Sequence, residues 1–513
     1  MRLLLTILLP LILGLIPAPV DFQPAKGTSS VDKIVVRKPS RALRKATASL
    51  PEFSRKEAYR LRIGPQKAVI EAYTPEGEFR ARKSLEQLQA LGNVPCGVIT
   101  DYPRFRHRGL MIDESRSFKG LEFLKKQMDA MALLKLNVLH LHLDDSAGWR
   151  IESDAYPDLT EKTAWRVGRI YWDWEKSGYR FLSKDDPDAY GGCYSRDELR
   201  EIVAYAAERH ITVIPEIEMP GHSMEVTWAY PETACQLEDG TRFKGGWDVC
   251  PGSEATFELL EAVLTEVMEI FPSEYIHIGG DEASMAVWPR CVNCRRRMEE
   301  EGFTDVRQLQ GYLVRRIEAF VRSHGRTIIG WDEILETGVP QSAVIQSWRG
   351  ISGGIAANAT GHKVVMSPNS HVYFDYYQDL IRKEPPACGE LTSLRHVYSY
   401  EPVAPGMDES LVLGLQANLW CEWIPTCEHA EYMLWPRGFA IAETGWSPAE
   451  AKDPDGFRAR AIAMQDVLRA AGYNTFDLRT ETNLARSGYR TFGSYEAAGL
   501  KDPTGTENTD LWK

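Results

Sequence analysis

The chain has 513 residues, 43% hydrophobic and 26% charged, with 14 Trp, 21 Tyr and 17 Phe. That is enough apolar material for one large barrel with a companion domain, and it excludes disorder over most of the length. A formal net charge of -12 excludes a broad basic face for nucleic-acid phosphates and leaves a neutral substrate compatible.

The N-terminus, MRLLLTILLPLILGLIPAPV, has one arginine, an apolar run broken by Pro10, then small residues and prolines. This is the layout of a secretory signal peptide over residues 1–20, with cleavage expected between Ala18 and Asp21 and an uncleaved anchor as the rival reading. The protein is therefore expected to be exported, to the periplasm, the cell surface or the medium, with no membrane span after signal removal.

Residues 21–56 are polar and basic without a clear period, and read as a linker or arm. EAYRLRIG (57–64) and KAVIEAYT (67–74) alternate as strands, and GEFRARKSLEQLQAL (77–91) reads as an amphipathic helix. Residues 57–102 therefore read as a small α+β domain, ended by DYPRF.

From Arg106 onward, short apolar strands alternate with helical stretches. The strands are GLMIDE (109–114), NVLHLHLDD (137–145), ITVIPEIE (211–218), YIHIGGDE (275–282), TIIGWDE (327–333), AVIQSW (343–348), KVVMSP (363–368) and LGLQANLW (413–420). Repeated βα units with these strands imply a (β/α)8 TIM barrel, α/β in class, over residues 103–475, with a polar tail at 476–513. Polar and aromatic residues gather at the C-terminal ends of the strands, the face where such barrels carry their chemistry.

Nine cysteines in an exported chain make disulfides possible. Cys235 and Cys250 flank a polar loop and are the best candidate pair. Cys291 and Cys294 form a CVNC unit that reads as a local disulfide or two free thiols ahead of half a zinc site, because no second CxxC or HxxxH lies nearby. No metal and no cofactor is expected.

A mouth rimmed by carboxylates, histidine and tryptophans, without a phosphate loop or nucleotide fingerprint, suits glycoside hydrolysis. The adjacent acids Asp281 and Glu282 pose a difficulty, since neighbours on one strand end cannot flank a glycosidic bond from opposite sides. HIGGDE, with NVLHLHLDD and PEIEMPGH before it and GLQANLWCE after it, resembles the family-20 glycoside hydrolases, the exo-acting β-N-acetylhexosaminidases. DYPRFRHRGLMIDESR, GWDVCPG and AETGWSP fall in the same order, so the resemblance runs from about residue 57 to about residue 475.

The resemblance implies substrate-assisted catalysis, in which the substrate's 2-acetamido oxygen attacks the anomeric carbon and Glu282 is the general acid and then base. It implies that Asp281 holds the acetamido N–H, and that Asp144 and His222 form a polar relay to Glu282. Arg116, Asp375 and Glu422 are implied to bind sugar hydroxyls, Tyr373 the acetamido oxygen, and Trp331, Trp348 and Trp420 to wall the sugar. The implied partner is a glycan with a terminal N-acetylhexosamine. A disaccharide-releasing relative and a non-catalytic carbohydrate-binding protein are the competing readings.

Three positions depart from the family pattern. Glu218 stands where many members have Asp, and Ser117 where a His is common, which implies altered contacts beyond the first sugar. Cys421 replaces a hydroxyl residue and is expected to make activity sensitive to thiol reagents.

Overall fold

The computed structural model describes residues 13–488. Five strands form an N-terminal sheet: β1 (Asp21–Thr28), β2 (Lys33–Arg37), β3 (Tyr59–Ile63), β4 (Lys67–Ala72) and β5 (Pro95–Asp101), in the order β1-β5-β3-β4-β2. β3 sits at the centre, antiparallel to both β4 and β5. Tyr59, Leu61 and Ile63 alternate inward on it and pack on the helix Pro75–Ala90 through Ala81, Leu85 and Leu88. Thr74 caps that helix by accepting from the Gly77 N–H, and Pro75 occupies the first turn, where its missing N–H costs nothing.

Residues 21–56 are thus not a loose arm. They supply β1, β2 and the short helices Arg41–Ala46 and Glu52–Glu57. Both strands lie at sheet edges with most side chains exposed, so they lack the alternation that marks a half-buried strand. The expected cleavage between Ala18 and Asp21 also meets a packed segment. Leu13, Leu15, Ile16 and Ala18 are buried, the Ile16 backbone bonds Gln87 through both its N–H and its carbonyl, and Arg460 donates to the Leu15 carbonyl. Residues 1–12 of the expected leader lie outside the described residues.

Eight parallel strands close the barrel: β6 (His107–Asp113), β7 (Val138–His142), β8 (Thr212–Glu216), β9 (Tyr275–His277), β10 (Thr327–Trp331), β11 (Val344–Ser347), β12 (Val364–Met366) and β13 (Val412–Leu419). Each matches an expected strand. β6, β7 and β13 are buried along their full length, as parallel strands covered on both faces must be. Val138, Ile214, Tyr275, Ile329, Val344, Val365 and Leu413 form an apolar layer near the strand starts.

Beyond that layer the interior turns polar. Asp113, His142, Glu216 and His277 fall in register across four consecutive strands. Glu216 is their hub, meeting His140 Nε2 at 3.1 Å, His277 Nδ1 at 2.8 Å and the Trp331 indole N–H at 2.9 Å, with His142 in closer contact. This buried set, centred on Glu216, holds the strand ends in fixed positions under the mouth.

The DYPRF segment locks the two domains together. Asp101 accepts from Tyr59, Lys135 and the Trp446 indole at 2.7 to 2.8 Å, and Glu57 pairs with both Arg80 and Arg108. The expected tail begins as packed chain, since Phe476, Leu478 and Ala485 are buried and the Thr482 N–H bonds Asp379. Residues 489–513 lie outside the described residues.

Candidate active site

Strand β9 ends at His277, before the acids, so the alternation that would send Asp281 and Glu282 to opposite faces no longer applies. Gly279 and Gly280 have φ of +62° and +101°, and Glu282 itself has φ of +44°. A Cβ at Gly279 would lie 1.9 to 2.0 Å from the Glu218 carboxyl group, so only glycine fits there. The chain turns so that both acids face one imidazole: His222 Nε2 lies 3.3 Å from Glu282 and 3.7 Å from Asp281.

His222 also has positive φ, +52°. Such backbone costs about 1–3 kcal/mol per non-glycine residue and persists where the surroundings enforce it. Here the neighbour before it, Gly221, passes so close to the acid loop that a Cβ would sit 2.8 Å from the Asp281 carbonyl oxygen.

His222 Nδ1 meets Asp145 at 3.2 Å, and Asp145 in turn pairs with Arg116 at 2.7 Å and His142 at 3.0 Å. The expected relay member was Asp144. Instead Asp144 accepts from the Glu218 N–H, and burial raises its pKa well above the carboxylate range. The two acids of LDD therefore differ in state: burial acts on Asp145 as well, but Arg116 and His222 overcome it and hold its pKa below the usual range.

Burial would depress the His222 pKa, but Asp145, Glu282 and Asp281 outweigh it and hold it well above its usual value. The hydrogen bond from His222 lowers the Glu282 pKa, against burial. Asp281 is shifted upward, chiefly by burial. In the His222–Glu282 pair, 3.3 Å apart, the proton is therefore held on His222 beside an ionised Glu282.

A pH dependence follows from that arrangement. Asp145 stabilises protonated His222, so Asp145→Asn lowers the pH at which the pair loses its proton. The alkaline limb of kcat/KM is expected to move down by on the order of one pH unit, and an unmoved limb in a pH–rate profile would contradict the relay.

Around these groups, Arg116 lies over the Trp420 ring at 5.1 Å and reaches Asp113 at 3.4 Å and Glu422 at 3.8 Å. Trp331 and Trp420 have ring centroids 5.8 Å apart, and Tyr373 lies 6.3 Å from both Trp348 and Trp420. The structure thus brings the expected wall residues together. Asp375 is buried with one carboxyl oxygen lacking a hydrogen-bond partner, as is one oxygen of Asp281.

Three further residues belong here that sequence reasoning did not assign. Trp247, in GWDVCPG, donates from its indole to the Glu282 carbonyl at 3.2 Å and packs on His222 at 4.5 Å. Asp248 accepts from the Ser284 and Met285 N–H groups, fixing the loop after Glu282. Glu333 accepts from the Trp348 indole, and burial together with Asp281 and Asp332 pushes its pKa up to about 8.

The departures resolve structurally. Ser117 is buried and donates to the Cys421 carbonyl, tying two strand-end loops together. Cys421 is fully buried and burial raises its thiol pKa, which removes the thiolate that reagents attack and corrects the expectation of thiol sensitivity at this residue. The expected Cys235–Cys250 pair is also corrected, since both are free thiols whose sulfurs lie within 4.8 Å of those of Cys291 and Cys294.

Comparison with known proteins adds independent findings. The model for the glycosyl hydrolase family 20 catalytic domain matches residues 105–449, and that for domain 2 of the family matches residues 20–102. A beta-hexosaminidase of Porphyromonas gingivalis is 39% identical over 421 residues, covering 78% of this chain and 52% of that protein, so the chain spans about half the length of that relative. A beta-hexosaminidase of Akkermansia muciniphila is 32% identical over 476 residues, covering 88% of this chain and 93% of that protein. Among solved structures, an exo beta-N-acetylglucosaminidase from Vibrio harveyi in complex with N-acetylglucosamine superposes with a TM-score of 0.77 at 29% identity, covering 91% of this chain and 78% of that one.

Proposed function

The chain belongs to glycosyl hydrolase family 20, and from that premise we propose that it is an exo-acting β-N-acetylhexosaminidase that removes terminal β-linked N-acetylhexosamine by substrate-assisted catalysis. The observation that carries this reading is the pair Asp281 and Glu282 facing one imidazole, His222, at 3.7 and 3.3 Å. Two acids so placed act on two parts of one sugar.

In the first step the substrate's acetamido oxygen attacks the anomeric carbon while Glu282 protonates the departing glycosidic oxygen. Glu282 is ionised in the free enzyme, because His222 lowers its pKa. When substrate excludes water, the proton on His222 moves onto Glu282 and both groups become neutral. Asp281 accepts the acetamido N–H and stabilises the positive charge that builds as the oxazolinium ring closes. Glu282, now a base, then takes a proton from the water that opens the ring, so anomeric configuration is retained.

Trp331, Trp348, Trp420 and Tyr373 enclose the acetamido group and one sugar face, and Tyr373 donates to the acetamido oxygen. Arg116, Asp375 and Glu422 bind the outer hydroxyls. Burial favours the protonated form of Asp375, with Glu422 adding to the effect, so it donates as well as accepts. The substrate partner in this reading is a glycan ending in N-acetylglucosamine or N-acetylgalactosamine, reached after export, which the apolar N-terminal stretch supports.

Incubation with a short chito-oligosaccharide tests the reading. Release of single N-acetylglucosamine units from the non-reducing end is expected. Release of disaccharides would overturn the exo-monosaccharide assignment.

A further inference from the structure

Four cysteines from the two loops that carry the catalytic groups meet at one point. The loop after β8, residues 217–253, holds His222, Trp247 and also Cys235 and Cys250. The segment after β9 holds Asp281 and Glu282 and then Cys291 and Cys294, at the N-cap and third position of the helix Val292–Glu301. All four are buried, at 0 to 2% exposure.

Every sulfur lies within 4.8 Å of the other three. Cys250 is 3.5 Å from both Cys291 and Cys294, and Cys235 is 4.0 Å from Cys294. Tetrahedral zinc with Zn–S bonds of about 2.3 Å separates its sulfurs by about 3.8 Å. A disulfide requires about 2.05 Å, so the observed spacing is that of four ligands around a central ion rather than of two bonded pairs.

We propose that Cys235, Cys250, Cys291 and Cys294 bind one zinc ion that fastens the His222 loop to the Asp281–Glu282 loop. Four protein ligands leave no open position, and Trp288, Leu309, Phe243, Met298, Phe303 and Val306 close the site off, so the ion is structural. Soft thiolates in tetrahedral array select zinc over hard cations. Each thiol gives up its proton as its S–Zn bond forms, and the positive end of the Val292–Glu301 helix favours the resulting thiolates of Cys291 and Cys294.

The two loops already touch. Trp247 bonds the Glu282 carbonyl and Asp248 takes the Ser284 and Met285 N–H groups, and beside the cysteines the Val292 N–H bonds the Gln236 carbonyl. The zinc ties the same loops at their base, and so sets the 3.3 Å separation of His222 and Glu282. Sequence alone hid this site because the Cys235/Cys250 pair and the Cys291/Cys294 pair are 41 to 59 residues apart and only the second pair forms a CxxC.

The test uses the full chain purified without chelator. Elemental analysis is expected to give about one zinc per chain, an organomercurial is expected to release it to a chromogenic chelator, and exchange for cobalt is expected to produce the visible bands of tetrahedral thiolate cobalt. Zinc removal is expected to lower kcat several-fold with a smaller change in KM, reversed by thiol and zinc together. Cys294→Ser is expected to lose the metal, and since that variant can also fail to fold, the exchange on unaltered protein decides. Metal-free protein with full activity, iron as the sole metal, or disulfide-linked peptides joining any of these cysteines would overturn the proposal.

Discussion

Replacing Glu282 by Gln is expected to lower kcat on natural oligosaccharides by about a thousandfold while leaving the fold intact. Gln matches the shape of Glu282 and still accepts from His222, but it cannot deliver a proton to the glycosidic oxygen or take one from water. General acid–base catalysis contributes about 10²–10⁴-fold, and a sugar alkoxide is a poor leaving group, so the loss falls in that range. Aryl substrates whose leaving groups depart unprotonated spare the first step and show a smaller loss. Rates measured across a series of aryl leaving groups check this: a steep dependence is expected in the variant and a shallow one in the parent. Full activity in the variant on a sugar leaving group would remove Glu282 from its role.

Asp281→Asn is expected to reduce kcat by about 10²–10³-fold with little change in KM. Asn keeps an oxygen for the acetamido N–H, so ground-state binding survives. What is lost is a negative charge beside a nitrogen that becomes positive only as the ring closes, and preorganised groups of this type contribute about 2.7–4 kcal/mol to the barrier. Because Asp281 also lies 3.7 Å from His222, the variant is expected to lower the His222 pKa, moving the alkaline limb in the same direction as Asp145→Asn. Steady-state kinetics on an aryl N-acetylglucosaminide measure both effects, and a change confined to KM would contradict the assignment.

The barrel strands were legible because each is a short apolar run bounded by turn residues, and burial on both faces leaves no other use for such a run. β1 and β2 were not, because an edge strand with exposed side chains has no apolar signature; of β1 only Phe22 is buried. The choice between Asp144 and Asp145 shows where motif position stops: the resemblance implied Asp144 for the relay, and the structure puts Asp145 against His222. The strand ends at His142, and Asp144–Asp145 instead pairs with Gly148–Trp149 in a small hairpin. That break turns Asp145 back toward His142 and His222.

The adjacency of Asp281 and Glu282 was visible, as were the two glycines before them that let the chain turn; what fixes the turn was not. It depends on Glu218 reaching across from the next loop to accept the Gly280 N–H at 2.9 Å, and on positive φ at three of four consecutive residues, Gly279, Gly280 and Glu282. Glu216 and Glu333 act through partners on other strands, which no local pattern encodes. The wall residues Trp331, Trp348, Tyr373 and Trp420 were found through motif position, and the structure adds their mutual packing.

The most direct test compares hydrolysis of an aryl N-acetyl-β-glucosaminide with that of the matching aryl β-glucoside, which lacks the acetamido group. If the substrate supplies the nucleophile, only the first is cleaved at an appreciable rate. Comparable cleavage of both would require a nucleophile from the protein and would contradict the division of labour between Asp281 and Glu282.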